Sequence, residues 1–389
     1  MEALSRSAWA EVDLDALYHN ARSVVRIVAP SEFCAVVKAN SYGHEATEVA
    51  KTAILAGASW LAVATIEEGL SLRDGGIKAP ILLLVEPDRQ YIEAALRSGL
   101  TVSVDHPELA WEIAAARDRI WGDESTDISI HIHLDTGMAR AGSSLEEAVE
   151  IAKIARFSKV TVGGLWSHLA IADDARGRSF TLEQLKRFEA ARLALAAVGC
   201  HPKLSHIANS AGAISYPSSR YDMVRVGIEL YGYPPSAQVP MPSLRPVMSL
   251  KARVVHLRRI SIGEAVSYGL KRPVIVDSTI ATVPIGYADG VPRALFDAQG
   301  EVLIRGRRYP LAGVITMDQL MVDLGEESDV ALGDEVVLLG RQGRESIGAD
   351  EWADKLSTIS YEVIARIGNR VPRVLVGNPQ ALSENEVAR

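Results

Sequence analysis

A chain of 389 residues, 48% hydrophobic and 23% charged, is long enough to bury a large core and to form two domains. A net charge of −8 without a basic cluster argues against nucleic acid as a partner, and no apolar run approaches the ~20 residues of a membrane span. The opening residues show no basic stretch followed by an apolar one, so no secretory signal is expected and the cytoplasm is the expected compartment. Cys34 and Cys200 lie among apolar neighbours and read as buried thiols rather than a disulfide.

In chain order, "AWAEVDLDALYHNARSVVRIV" reads as a strand followed by a helix, with Asp13 or Asp15 as N-cap. That first strand fits either domain. Eight β-rich runs follow: "CAVVK", "WLAVAT", "PILLLV", "LTVSVD", "ISIHIHLD", "TVGGLWSHL", "PKLSHIAN" and "DMVRVG". Helical stretches such as "HEATEVAKTAILAGA" and "TLEQLKRFEAARLALAAVG" separate most of them, several stopping at glycine. Eight strands alternating with helices predict parallel βα units, with a (β/α)8 barrel as the leading architecture and a doubly wound open sheet as the alternative. Periodicity alone does not separate the two. Near Tyr233 the texture changes: "YPPSAQVPMPSLRP" reads as a linker. Close-set strands with Gly and Pro turns then predict a mainly antiparallel β-strand domain, interrupted by one helix at "ADEWADKLSTISYEVIARIG". The expected divisions are 1–10 as a strand packed with the second domain, 11–238 as the barrel and 239–389 as the β-rich domain.

In a barrel, chemistry sits at the C-terminal ends of the strands. Those ends carry Lys38, His168, Asn209 with Ser210, and Arg225, while Asp135 and Arg140 follow the fifth strand in "HLDTGMARAG". Each has an ordinary explanation alone: a snorkelling lysine, a core histidine, an arginine paired with an acid. Gathered on one rim, they favour a site for an anionic ligand. Gly227 and Ile228 follow the eighth strand, where backbone amides at a helix start cradle phosphate, and Ser210 lies on the seventh loop. A phosphorylated aldehyde beside a lysine points toward Schiff-base chemistry, which the residues alone leave open.

"AVVKANSYGH" resembles the cofactor-lysine motif of the alanine racemases, fold-type III pyridoxal-phosphate enzymes with a barrel followed by a β-rich domain. "HLDTGMARAG", "HIANSAG", "RVGIELYG", "AVSYG", "VPIGYADGVPR", "ITMDQLMVDL" and "TISYEVIARI" match that family in order and spacing. The resemblance implies pyridoxal 5'-phosphate as cofactor, alanine as substrate, a homodimer with shared sites and supply of D-alanine for peptidoglycan. Lys38 would hold the cofactor and act as base on one face of the α-carbon. Tyr268, contributed by the partner chain, would act on the other. Tyr42, Ser210, Gly227, Ile228 and Tyr361 would bind phosphate, with Asn209 beside them, and Arg225 would bond the pyridine nitrogen. Arg140 would bond the phenolic oxygen and the substrate carboxylate, helped by the Met317 backbone from the partner chain, and His168 would link Tyr268 to Arg225. Tyr287 and Tyr361 would narrow the entrance, with Asp173, Arg293 and Asp318 around it.

Some positions depart from the family pattern. Many relatives place a carbamylated lysine seven residues before the equivalent of Arg140, and here that position is His133. His131 and His133 share a strand face, but two histidines without a third ligand make a poor metal site, and none is expected. Val314 and Thr316 also replace residues common near the substrate end. Alternatives are a racemase of serine or another small amino acid and a non-catalytic carrier of the cofactor. The motifs in the second domain favour an enzyme over the carrier. A decarboxylase on a related barrel would need a cysteine in the C-terminal domain, and both cysteines precede residue 201.

Overall fold

The computed structural model describes residues 6–122, 128–239 and 243–387. The first five residues of the expected N-terminal segment and Pro240–Pro242 of the proline-rich stretch lie outside the described residues. The chain divides into two compact units. One comprises the chain through Ala16, Tyr42–Glu45 and Pro246–Asn378, and the other Leu17–Ser41, Ala46–Arg245 and the chain from Pro379.

Strand β1 (Ala8–Asp13) belongs to the first unit. The second holds β2 (Glu32–Val36), β3 (Trp60–Val63), β4 (Ile81–Leu83), β5 (Leu100–Val104), β6 (Ile128–His133), β7 (Val160–Trp166), β8 (Leu204–His206) and β9 (Met223–Val226). These eight strands coincide with the eight β-rich runs. Each pairs in parallel with its successor from β2 to β8, and β2 pairs with β9, Cys34 lying opposite Arg225. Between β8 and β9, the Asp222 N–H donates to the Ser205 carbonyl (3.0 Å) and the Arg225 N–H to the Ala208 carbonyl (3.0 Å). An open sheet would leave its first and last strands far apart, so these bonds decide for the barrel. The strands are largely buried on both faces because side chains fill the barrel interior and helices cover its outside. Among those helices, Ile66–Asp74 begins in a reciprocal capping box of Thr65 and Glu68, which satisfies two of its orphan N–H groups.

The β-rich unit continues with β10 (Met248–Arg253), β11 (His256–Ile260), β12 (Ser278–Val283), β13 (Glu301–Ile304), β14 (Arg307–Pro310), β15 (Leu320–Asp323), β16 (Glu335–Gln342), β17 (Glu345–Ile347) and β18 (Arg373–Val376). One sheet runs β14-β13-β16-β10-β1-β18 with β17 on β16, and a second runs β11-β12-β15. Strand β1 lies between β10, antiparallel, and β18, parallel. The first strand therefore belongs with the β-rich sheet, and this unit reaches Ala16 rather than residue 10 because the ladder is continuous to Asp13. Asp13, not Asp15, caps the following helix Leu14–Val28, its carboxylate accepting the Ala16 N–H at 2.9 Å. The single helix expected near the C-terminus is two, Ala349–Leu356 and Ser360–Ala365. Ser357 takes a left-handed conformation and Ile359 an extended one, which breaks the helical ladder between them.

Candidate active site

Strand β2 ends at Val36, and the Val37 N–H still bonds the Ala62 carbonyl. Lys38 thus stands just past the strand rather than in it, and opens a turn of unusual hand. Ala39, Asn40, Ser41 and Tyr42 all have φ between 52 and 54°, and Gly43 has φ 84°. Left-handed geometry costs a non-glycine residue roughly 1–2 kcal/mol, and four in succession require external support. Glu68 supplies part of it. One carboxylate oxygen accepts the Ala39 N–H at 2.6 Å, and the other accepts those of Ala64 (2.8 Å) and Thr65 (3.2 Å). Asn40 Oδ1 accepts the Ala46 N–H at 2.9 Å. A Cβ on Gly43 would lie 2.7 Å from the Ile364 carbonyl, so only glycine fits there. His44 precedes the next helix, Ala46–Leu55, instead of opening it, and is fully buried.

Burial, then repulsion by Arg140, lowers the Lys38 amine below its ordinary range, with Glu68 pulling the other way. The result is a lysine with more free amine at neutral pH than a solvated one. Among the described residues neither the Lys38 amine nor the Arg140 guanidinium makes a hydrogen bond or ion pair. Two cations without protein partners suit a ligand bearing a carbonyl and negative charge.

Arg225, 3% exposed, organises the barrel interior beside them. Nη1 faces His206 Nδ1 at 2.8 Å and donates to the His206 carbonyl at 3.1 Å. Nη2 donates to the Ser167 carbonyl at 2.6 Å and faces His168 Nδ1 at 3.2 Å. Arginine only donates, so both histidines must accept through Nδ1 and carry their proton on Nε2. His206 Nε2 then donates to His131 Nδ1 at 3.0 Å. Burial, followed by repulsion from Arg225, holds His168 and His206 well below the usual histidine value and His131 at about 3. Burial brings Arg225 itself to about 10. Its guanidinium carbon lies 4.6 Å from the Trp166 ring centroid, and His133 stacks on the same ring at 3.8 Å. Burial holds His133 at about 4 despite the opposing pull of Asp105, so it is neutral at working pH.

At the ends of β8 and β9, the Gly227 N–H donates to Ser210 Oγ at 3.1 Å. Asn209 caps the short helix Ser210–Ser215 through the Gly212 N–H (3.0 Å) and donates to the Leu169 carbonyl (3.0 Å), with His168 Nε2 at 3.4 Å. Ile228 and Glu229 are fully buried, and burial pushes the Glu229 carboxyl up to about 7 against the pull of the Ser210 hydroxyl. The predicted residues Lys38, His168, Asn209, Ser210, Arg225, Gly227 and Ile228 all lie at or just beyond strand ends of the barrel, and Arg140 follows β6. Asp173, in the same unit, accepts the Ser236 hydroxyl on its carbonyl at 2.7 Å.

The β-rich unit carries the remaining predicted residues. The Tyr42 and Tyr361 rings lie 6.1 Å apart. The Thr316 and Met317 carbonyls accept the N–H groups of Tyr287 and Ala288, both at 3.0 Å, joining two of the predicted segments. Asp318 pairs with Arg370 at 2.6 Å. Tyr268 is 74% exposed in a short turn, and Tyr287, Met317 and Arg293 are also exposed. Thr316 closes its own turn with Gln319, and Val314 is buried with its carbonyl accepting the Ser267 hydroxyl.

His131 and His133 do not converge as a pair: one bonds His206 and the other stacks on Trp166. Glu86, Asp105 and His106 do bring three potential ligand atoms together. His106 Nδ1, however, accepts the Leu109 N–H at 3.1 Å, which leaves the proton on the Nε2 that faces Glu86 at 2.9 Å. A protonated nitrogen is no metal donor. Sequence reasoning missed His206 and Glu68. His206 was visible as a polar residue within the apolar β8 run, and Glu68 as the fourth residue of a Thr-x-x-Glu capping signature.

Similarity to known proteins extends over nearly the whole chain. The family models described as alanine racemase N-terminal domain and C-terminal domain match residues 12–235 and 247–375. A relative from Symbiobacterium thermophilum, an alanine racemase, is 45% identical over 96% of this chain and 98% of its own length. The crystal structure of alanine racemase from Bacillus anthracis with bound L-Ala-P superposes with a TM-score of 0.89 at 38% identity, covering 97% of this chain and 96% of that one. A histidine racemase from Leuconostoc mesenteroides superposes with a TM-score of 0.86 at 29% identity, covering 96% of this chain and 99% of that one. With matching models for both domains and a relative this similar along its full length, the chain belongs to the alanine racemase family.

Proposed function

We propose that this chain interconverts L- and D-alanine by a two-base mechanism, with pyridoxal 5'-phosphate held at the barrel strand ends and Tyr268 supplied by a partner chain. The family is one of enzymes that use this cofactor for that isomerisation, and the member described here is an enzyme of the same kind. The observation that carries the residue assignment is a lysine amine of lowered basicity and no protein partner on the barrel rim that also carries Arg225.

The donor set fits the cofactor. Lys38 and Arg140 lack protein partners among the described residues and suit an aldehyde and its neighbouring phenolic oxygen. Ser210, the Gly227 and Ile228 amides, and Asn209 suit a phosphate, with Tyr42 and Tyr361 contributing hydroxyls. When bound, the cofactor withdraws electrons from the substrate α-carbon and so acidifies its hydrogen.

Lys38 accepts or returns the α-proton on one face, and its lowered basicity makes the free amine available for that work. Tyr268 does the same on the opposite face. Its exposure on its own chain leaves the hydroxyl free to serve another molecule, which supports a homodimer with shared sites. Two opposed groups are needed because one rigid base tends to return a proton to the face it left. Arg225 donates hydrogen bonds but yields no proton, so an acceptor nitrogen beside it stays unprotonated. That limits electron withdrawal and discourages protonation away from the α-carbon. Neutral His168 and His206 keep Arg225 in place by accepting from it. Arg140 and, from the partner chain, the Met317 backbone hold the substrate carboxylate, while Tyr287 and Tyr361 restrict the side chain to alanine size. Asp173, Arg293 and Asp318 line the approach.

No helix among the described residues is long and apolar enough to cross a membrane. A cytoplasmic enzyme supplying D-alanine for peptidoglycan is the role that fits the family. A chiral assay of purified protein on both enantiomers of alanine, serine and histidine, with and without added cofactor, tests the reading. Cofactor-dependent exchange of alanine well above the other two is expected; exchange of histidine or serine in preference to alanine overturns it.

A further inference from the structure

Asp289 is fully buried, yet it lies in the turn that follows Tyr287. Its carboxylate accepts from both terminal nitrogens of Arg6, at 2.5 and 2.7 Å, and from the Gly286 N–H at 2.9 Å. Arg6 Nη2 also donates to the Pro284 carbonyl at 2.8 Å. Arg370 Nε stands 3.5 Å from the same carboxylate, and Arg370 Nη2 holds Asp318 at 2.6 Å. The Asp289 carbonyl accepts the Gly368 N–H at 3.0 Å. A chain of alternating charges, Arg6–Asp289–Arg370–Asp318, thus ties the N-terminal segment to the segment bearing Met317.

There is little slack in what this chain holds. Tyr287 and Ala288 bond the carbonyls of Thr316 and Met317 directly. A Cβ on Gly286 would lie 2.3 Å from the Thr316 carbonyl, and one on Gly290 would lie 2.3 Å from the Arg366 carbonyl. A buried carboxylate is tolerated only when paired and bonded, and bidentate guanidinium pairing fixes orientation as well as charge. The Asp289 hydrogen bond raises the basicity of Arg6, with Asp318 adding to it, so Arg6 stays charged throughout the working range.

We propose that Arg6 and Asp289, 283 residues apart in sequence, are positioning residues for the substrate end of the site: their ion pair sets the placement of the Tyr287 ring and the Met317 backbone. The inference rests on the assignment of Tyr287 and Met317 to substrate binding made above. The cofactor groups Lys38, Ser210 and Gly227 belong to the other unit, and Tyr42 and Tyr361, which share this one, are not among the residues joined by the ion pairs and hydrogen bonds just described. The proposed effect is therefore on substrate affinity and not on cofactor affinity.

The test uses full-length holoenzyme variants Arg6→Met, Arg6→Lys, Arg370→Met and Tyr287→Ala, each checked by circular dichroism and thermal unfolding. KM and kcat for both alanine enantiomers are measured, together with the cofactor dissociation constant. Arg6→Met and Arg370→Met are expected to raise KM about tenfold, with cofactor affinity changed less than about twofold, because small misplacement of binding groups is costly. Arg6→Lys, which keeps the charge but not the fork, should fall between Arg6→Met and wild type. A folded Arg6→Met enzyme with wild-type KM and kcat overturns the proposal, as does a parallel loss of cofactor affinity, which would mark general loosening. If Arg6→Met does not fold, Arg6→Lys decides, since it keeps the charge and removes only the two-pronged bond to Asp289: a folded Arg6→Lys enzyme with wild-type KM then overturns the proposal. If Tyr287→Ala alone raises KM, the positioning inference fails. If Tyr287→Ala also leaves KM unchanged, the assignment of the substrate end fails with it.

Discussion

The carboxylate of Glu68 accepts the backbone N–H of Ala39 at 2.6 Å, bracing the residue next to Lys38 with a group that also caps the helix Ile66–Asp74. One side chain thereby couples helix initiation to placement of the amine. Glu68→Ala is expected to cost about 1–2 kcal/mol through the lost cap and freed N–H groups. It should also lower kcat by one to two orders of magnitude as Lys38 shifts, on the order seen for small misplacements. Glu68→Gln keeps an acceptor and should lose less of both. Thermal unfolding and steady-state kinetics check this, and a normal kcat in a folded Glu68→Ala enzyme would refute the bracing role.

The proposed sharing of sites between two chains makes a distinct prediction. Lys38→Ala and Tyr268→Phe chains should each be severely impaired, and Tyr268→Phe should mainly slow α-proton exchange starting from L-alanine. Mixing the two under conditions of subunit exchange should recover activity, because one site per mixed dimer then holds both native groups. Absence of recovery, with exchange demonstrated by mass spectrometry, would place the two groups on the same chain.

The buried histidines set an acid limit. His133 titrates near 4 in the fold, below its ordinary 6.5, so on acidification the unfolded chain takes up the proton first. Its contribution to stability is whole above pH 6.5 and is lost as pH falls toward 4. Between pH 7 and 5 this single group should remove about 2 kcal/mol. Urea denaturation at several pH values should show that loss, and His133→Asn should flatten it. An equally steep pH dependence in the variant would rule His133 out as its source.

Gly286→Ala tests the joined segments directly. The added methyl would meet two backbone carbonyls, those of Thr316 at 2.3 Å and Met317 at 2.5 Å, neither of which can rotate away. Separation of the segments, a higher KM and a lower melting temperature are expected. Gly263→Ala is the control: its φ is +85° but nothing lies within 4 Å, so it should cost only about 1 kcal/mol of backbone strain with kinetics unchanged. Equal kinetics for both variants would show that the close approach at Gly286 is without functional weight.

The eight barrel strands were legible because each is a short apolar run bounded by turn residues, and burial on both faces removes any alternation. Ring closure was not, since the pairing of Cys34 with Arg225 spans most of the unit and leaves no local trace. His168 and Arg225 stood out as polar residues at strand ends, and the structure bonds them to each other. The left-handed turn was hidden, because Ala39, Asn40, Ser41 and Tyr42 include no glycine to announce positive φ. It is imposed by Glu68 and Asn40 through hydrogen bonds that no propensity records. The break at Ser357 was missed for the same reason: serine is not a residue that predicts a left-handed cap. The Arg6–Asp289 pair likewise has no sequence signature, as two oppositely charged residues at that separation occur in any chain.

Strand β1 sits in the interior of its sheet, flanked on one side by β10 and on the other by β18. A gene cut at the proline-rich stretch would therefore not yield two self-sufficient halves. The C-terminal fragment would lack a middle rung and present two raw edges, an invitation to aggregate. During synthesis, the earliest segment off the ribosome must wait for some of the last before its ladder is complete, so growth from the amino terminus cannot finish this sheet ahead of the barrel.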